Sequence, residues 1–235
     1  MRYAHVVALP SRAHALTLLS LLTLACWTPV AWATYVPPSL SPGDTYHLVF
    51  ITDGTRDATA TTVTPYNTFV QTEAALNPSL TGTNVGVTYR AIVSTTALDA
   101  NANAPVTAPV FNLNGDKIAD NFADMWDGTI DNPIDYNQYA ATIFPPDIWT
   151  GSQTGGQAFV GAEMGAANPR TGRADLADGR WIDEIIATNT YLSRFYGLSQ
   201  ELTVPVPEPS SLVLAAGALG SLLLLARRRR QATGR

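Results

Sequence analysis

Two apolar runs, residues 15–27 and 210–226, frame this 235-residue chain, and no segment between them is as continuously apolar. Whatever folds in water must therefore be built from the middle. The first run follows Arg2 and Arg12 and leads to Ala31-Trp32-Ala33, where Ala31 and Ala33 offer the small side chains that signal peptidase requires. This is the pattern of a secretory signal over residues 1–33, cut after Ala33. A lipoprotein signal would need a leucine three residues before Cys26, where Thr23 stands. The second run has 17 residues, about 25 Å of helix at ~1.5 Å per residue. That length just reaches across a thin hydrocarbon core of about 27–30 Å. Arg227, Arg228, Arg229 and Arg230 follow it directly and hold that end on the cytoplasmic side. The expectation is one C-terminal transmembrane helix at 210–226 with a basic tail at 227–235, which leaves the body outside the inner membrane.

Pro207-Glu208-Pro209 stands immediately before that helix. Short motif, marginal helix and terminal arginines together resemble the PEP-CTERM sorting signal, here over residues 205–235. The resemblance implies an exosortase-like membrane transpeptidase that recognises Pro207, Glu208 and Pro209 and cuts near them. It also implies a bacterium that makes exopolysaccharide, and a protein anchored transiently in the inner membrane on its way to the cell surface or the extracellular space. A plain transmembrane anchor is the alternative.

Charge narrows what the body can bind. Seven of the 14 basic residues and one of the 19 acidic ones fall outside residues 34–204, so the body keeps seven bases against 18 acids, about −11 in all. A phosphate-tracking surface needs clustered bases, and this body repels phosphate, which argues against nucleic acid as a partner. Cys26 is the only cysteine, so the body has no disulfide framework, no CxxC metal site and no thiol nucleophile.

Residues 34–43, rich in proline and serine, read as a linker into a domain over 44–204. Residues 45–52 are β-branched and aromatic and end at Asp53-Gly54, a strand and its turn. Thr64 as cap, Pro65, and Tyr66, Phe69, Val70 and Ala74 at helical spacing predict a helix that Asn77-Pro78 stops. A second strand follows at 88–94, then a loop over 98–109 and a short extended piece at 110–113. Asp120 or Asn121 starts a short helix that Gly128 ends, with loop from 127 to 138. Residues 148–152 read as a strand, 161–179 as an irregular surface excursion, and 191–199 and 201–204 as closing strands. Residues 181–186 fit a short helix or a strand equally. The sum is a mixed α+β domain with long loops.

The order of those pieces, from Tyr46-His47-Leu48-Val49 through the helix at Thr64, Tyr89-Arg90-Ala91-Ile92-Val93-Ser94, Pro109-Val110-Phe111-Asn112-Leu113, the helix at Phe122 and Ile148-Trp149-Thr150-Gly151-Ser152, resembles the endostatin-type branch of the C-type-lectin-like fold. The resemblance implies that the first and last strands of the domain lie side by side in one sheet. Relatives of that kind usually hold their irregular half with disulfides. In this cysteine-free body the packing of Trp126, Trp149 and Trp181 has to take that role.

Chemistry-bearing residues are few. Once the signal is removed, His47 is the only histidine, and it lies in a strand. A His-rich zinc site and a G-x-S-x-G elbow are both missing. Asp116, Asp120, Asp124, Asp127, Asp131 and Asp135 form the densest polar run. Oxygen ligands suit Ca²⁺, and C-type-lectin-like domains often bind it, so Asp116, Asp120, Asp124, Asp127 and Asp131 are candidate calcium ligands. A solvated acidic surface is the other reading of the same run, because the every-second-residue spacing of a calcium loop is absent. Trp149 and Trp181 are candidates for stacking on sugar faces, but they sit in apolar, strand-like contexts where core packing is the better reading. Three functions remain open: a non-enzymatic surface or matrix protein that binds exopolysaccharide without a cofactor, a carbohydrate-active hydrolase with paired carboxylates, and a ligand-free structural component.

Overall fold

The computed structural model describes residues 35–81 and 86–206. The signal segment with Ala31 and Ala33, the motif at 207–209, the apolar run at 210–226 and the arginines at 227–230 all lie outside the described residues. Among the described residues no helix is long and apolar enough to cross a membrane.

Strand β1 (Thr45–Ile51) is buried from its second residue onward, so both of its faces are covered. Side chains alternate across a strand. Tyr46, Leu48 and Phe50 enter one core with Tyr66, Val70 and Ala74 of α1 (Thr64–Ala75), while Val49 and Ile51 enter a second core. The i, i+4 spacing of Tyr66, Val70 and Ala74 puts one helical stripe on the sheet. Pro65 occupies the first turn of α1, and the capping position is Val63 rather than Thr64, with no side-chain cap. The short helix α2 (Pro78–Thr81) follows at once.

The remaining elements are β2 (Tyr89–Ala91), α3 (Ala100–Asn103), β3 (Val110–Phe111), β4 (Lys117–Ala119), α4 (Phe122–Met125), β5 (Asp147–Trp149), β6 (Thr171–Arg173), a 3-10 turn at Gly179–Trp181, β7 (Arg194–Ser199) and β8 (Leu202–Thr203). They build one mixed sheet in the order β4-β3-β1-β7-β5-β6, with β2 on β7 and β8 on β1. β1 pairs antiparallel with both closing strands, Thr45 opposite Thr203 and Val49 opposite Leu198. The two ends of the domain therefore meet in one sheet.

Three expectations need correction. The segment 161–179 is not wholly irregular, because β6 lies inside it and pairs antiparallel with β5, Ile148 opposite Gly172. Its glycine and alanine content hid a strand whose partner lies more than twenty residues away. The loop at 98–109 contains the helical turn α3. Trp149 and Trp181 are fully buried, at 0% exposure, so neither can present a face to a sugar. Trp149 belongs to the core under α1. Trp181 stands 5.9 Å from Trp126 and 5.8 Å from Tyr196, ring centre to ring centre. This aromatic cluster ties the irregular half, from α4 to the 3-10 turn, to β7 by apolar burial.

Candidate functional site

The aspartate run does not assemble a cation site. Asp120 and Asp131 both turn to Lys117, at 2.6 and 3.1 Å. Asp124 accepts the Asp120 N–H, Asp127 accepts the Thr129 N–H, and Asp116 accepts the amides of Asn112 and Asn114. Asp116, Asp124 and Asp127 each serve their own turn, and Asp120 and Asp131 share the charge of Lys117. Among the described residues no three carboxylates or imidazoles gather as metal ligands, so the calcium reading of Asp116, Asp120, Asp124, Asp127 and Asp131 is withdrawn.

Polar groups converge instead on the sheet edge at β2. One edge of β2 pairs with β7, Arg90 opposite Leu198. The other edge would leave backbone groups open to a foreign strand, and α1 closes it with side-chain amides. Gln71 accepts the Tyr89 N–H at 2.7 Å, and Asn67 accepts the Ala91 N–H at 2.8 Å. Asn103 of α3 donates to the Ala91 carbonyl and bonds back to Asn67. The i, i+4 spacing of Asn67 and Gln71 on α1 matches alternate residues along the strand.

Beside this capped edge the sheet carries a bulge. Between the Tyr46–Leu202 and Val49–Leu198 pairs, Ser199, Gln200 and Glu201 oppose only His47 and Leu48. An extra residue of this kind leaves ladder groups unpaired, and side chains fill in. The Leu48 N–H donates to Ser199 Oγ at 2.9 Å, and Ser199 Oγ–H donates to the Gln200 carbonyl. The bulge pushes Gln200 and Glu201 outward, where they form one wall of a cleft of about 320 Å³ with Thr88, Arg90 and Thr107. A shallower depression of about 560 Å³ under Thr68, Gln71 and Thr72 shares Thr88 and Arg90 with it, so the two make one groove.

His47 forms the floor at 2% exposure. Its Nδ1 faces the Ser199 carbonyl at 2.9 Å, and its Nε2 receives the Thr107 N–H at 3.0 Å. A carbonyl can only accept and an amide N–H can only donate. The ring is therefore neutral, with its proton on Nδ1 and its one lone pair occupied. Thr107 Oγ–H donates to Glu201. Thr107 Oγ also lies 3.1 Å from His47 Nε2, so histidine, hydroxyl and carboxylate meet, with the hydroxyl proton directed to Glu201 and the Nε2 lone pair already accepting from the Thr107 N–H.

Burial holds the His47 pKa below its ordinary 6.5, and the Ser199 carbonyl and the Glu201 charge oppose that only in part. The folded state therefore prefers neutral His47. Its contribution to stability is complete above pH 6.5 and is lost as pH falls through the lowered folded value. The stability difference between the wild type and His47→Gln should shrink between pH 7.5 and pH 5 by about 1.4 kcal/mol for each unit separating the two values. Thermal unfolding of both proteins across that range checks this, and a gap that widens toward acid would contradict it.

Of the groove residues, sequence reasoning had isolated only His47, and as a strand residue. Thr88, Arg90, Thr107, Gln200 and Glu201 come from three distant segments, and the one local sign was Ser199-Gln200-Glu201 interrupting two apolar strand runs. No curated protein matches the chain. Beyond the groove, the backbone is locked as far as Val204, which donates to the Asp44 carbonyl and accepts from the Gly43 N–H. Directly after that lock, residues 205–230 match the PEP-CTERM protein-sorting motif, the mark of an exported protein that exosortase processes.

Proposed function

We propose that this chain delivers a non-enzymatic binding domain to the cell surface or extracellular matrix, where it holds exopolysaccharide or another matrix component. The observation that carries this reading is the sorting motif beginning one residue after the last sheet-locked residue, Val204. The domain ends where the signal starts, which suits a cargo cut loose without disturbing its sheet. An acidic, cysteine-free body with both cores closed by apolar and aromatic packing folds without oxidative help and fits that destination. Its architecture is read as the endostatin-type C-type-lectin-like fold, supported by the pairing of β1 with β7 and β8. Non-catalysis is supported by the occupied His47 ring. It is supported also by the groove lining, where Glu201 is the one carboxylate among the described residues and a glycosidase needs two.

The full chain expressed in a bacterium with an exosortase and in its exosortase-deficient derivative tests this. In the first strain the protein should leave the cytoplasm, lose Arg227 to Arg230 and co-sediment with exopolysaccharide, and EDTA should not release it. In the second it should stay in the membrane fraction with the arginines present. Cytosolic protein, or the same mass in both strains, removes the delivery reading. Equal sedimentation from cells that make no polysaccharide removes the binding reading.

A further inference from the structure

We infer that the groove over β2 is a site for uncharged, hydroxyl-rich polymer, with Arg90 and Glu201 as its anchoring pair and polyanionic polymer rejected. This places the binding proposed above in the groove, names its ligand class and rests on that reading. Arg90 and Glu201 are the one cation and the one carboxylate lining the groove among the described residues. Arg90 donates to the Asn103 carbonyl at 3.2 Å, and Glu201 accepts from Thr107, so neither neutralises the other. A sugar hydroxyl both donates and accepts. A guanidinium with only donors beside a carboxylate with only acceptors gives adjacent hydroxyls complementary partners. Gln200 lines the same cleft, and its side chain is held by Thr88 at 2.8 Å through its oxygen, so its amide N–H donors are not spent on that contact.

Charge sets the class. A uronate polymer would gain Arg90 and meet Glu201, and around both it would face a body of about −11, a field that repels polyanions and keeps their association slow. A neutral polymer feels none of this. Stacking does not contribute, because Tyr89 is buried with its hydroxyl bonded to the Leu80 carbonyl, and Trp149 and Trp181 are in the cores. Recognition therefore rests on hydrogen bonds to charged side chains.

The full chain in mild detergent, whose binding does not depend on export, is assayed against an immobilised neutral glucan, polygalacturonate and chitosan at ~0.15 M salt and above. Retention on the neutral polymer should be insensitive to salt and should fall at least about tenfold in Arg90→Met and in Glu201→Met. Val160→Ser, changed at a residue 92% exposed and outside the groove, should bind as the wild type does. Chitosan retention, if seen, should vanish with salt and ignore both groove substitutions. Both anchors are exposed, and Arg90→Lys and Glu201→Gln provide conservative checks should either methionine variant lose its circular-dichroism signature. Stronger retention on polygalacturonate than on glucan, dependent on Arg90, overturns the neutral-ligand inference and leaves the binding function standing. Retention on glucan unchanged in both variants overturns the site. Retention on no polymer removes both the inference and the binding function.

Discussion

Replacing Trp181 with alanine will lower the unfolding free energy by about 3–5 kcal/mol, the usual cost of deleting a buried tryptophan. The side chain is fully buried and contacts both Trp126 and Tyr196. The hole it leaves would lie between the 3-10 turn, α4 and β7, which no covalent bond links. A domain of this size holds roughly 5–15 kcal/mol in total, so the variant sits near the edge of folding. Trp181→Phe should cost clearly less. It keeps most of the apolar volume and also removes the indole Nε1, which finds no protein acceptor in its buried position and so carries a desolvation penalty of about 1–3 kcal/mol. Urea unfolding followed by far-ultraviolet circular dichroism measures both. If Trp181→Ala lost less than about 1 kcal/mol, the aromatic cluster would not be what holds the irregular half together.

What could be read from the sequence was whatever depends on near neighbours. The β1 run, the i, i+4 stripe of α1 and the Asn121 cap of α4, which accepts from the Ala123 and Asp124 N–H groups, are local patterns. The sorting signal is local too, since it is a linear motif followed by an apolar run and a block of arginines. Strand β6 escaped because Thr171-Gly172-Arg173 has no apolar alternation, and its identity comes from pairing with β5. Trp149 and Trp181 left two readings open, and burial decided between them. The groove was the least legible part. Its walls are joined by the Thr88–Gln200 and Thr107–Glu201 contacts, which span 112 and 94 residues, and the bulge that turns Glu201 outward follows from a register difference between two strand pairs. Nothing in a single sequence marks a register. The aspartates failed for the opposite reason: abundance along the chain suggested a cluster, yet Asp116, Asp124 and Asp127 are spent on their own turns and Asp120 and Asp131 on Lys117.

Gly172→Ala should be about as damaging as losing Trp181, by overpacking rather than by a cavity. A Cβ on Gly172 would lie 2.1 Å from the Trp181 carbonyl oxygen, 2.6 Å from its carbon and 2.8 Å from the Ile182 Cα. These are backbone atoms, so no rotamer change relieves the clash. Moving the 3-10 turn away would strip the Trp181 carbonyl from the Tyr196 hydroxyl, now at 3.0 Å, and the Ile182 carbonyl from Thr150 Oγ–H, now at 2.6 Å. Overpacking costs about 1–3 kcal/mol, and each of the two buried carbonyls orphaned by the shift adds about 1–3 kcal/mol, giving an expected loss of at least about 3 kcal/mol. Gly161→Ala is the control, since a Cβ there meets nothing within 4 Å and the change carries only left-handed backbone strain of about 1–2 kcal/mol. One cooperative urea transition at a much lower midpoint for Gly172→Ala would show that β5, β6 and the 3-10 turn unfold with the sheet that bears the groove. Two separated transitions would mean that the irregular half opens alone. In that case the binding surface over β2 should keep its affinity for neutral polymer after the first transition, which a retention assay at intermediate urea would detect.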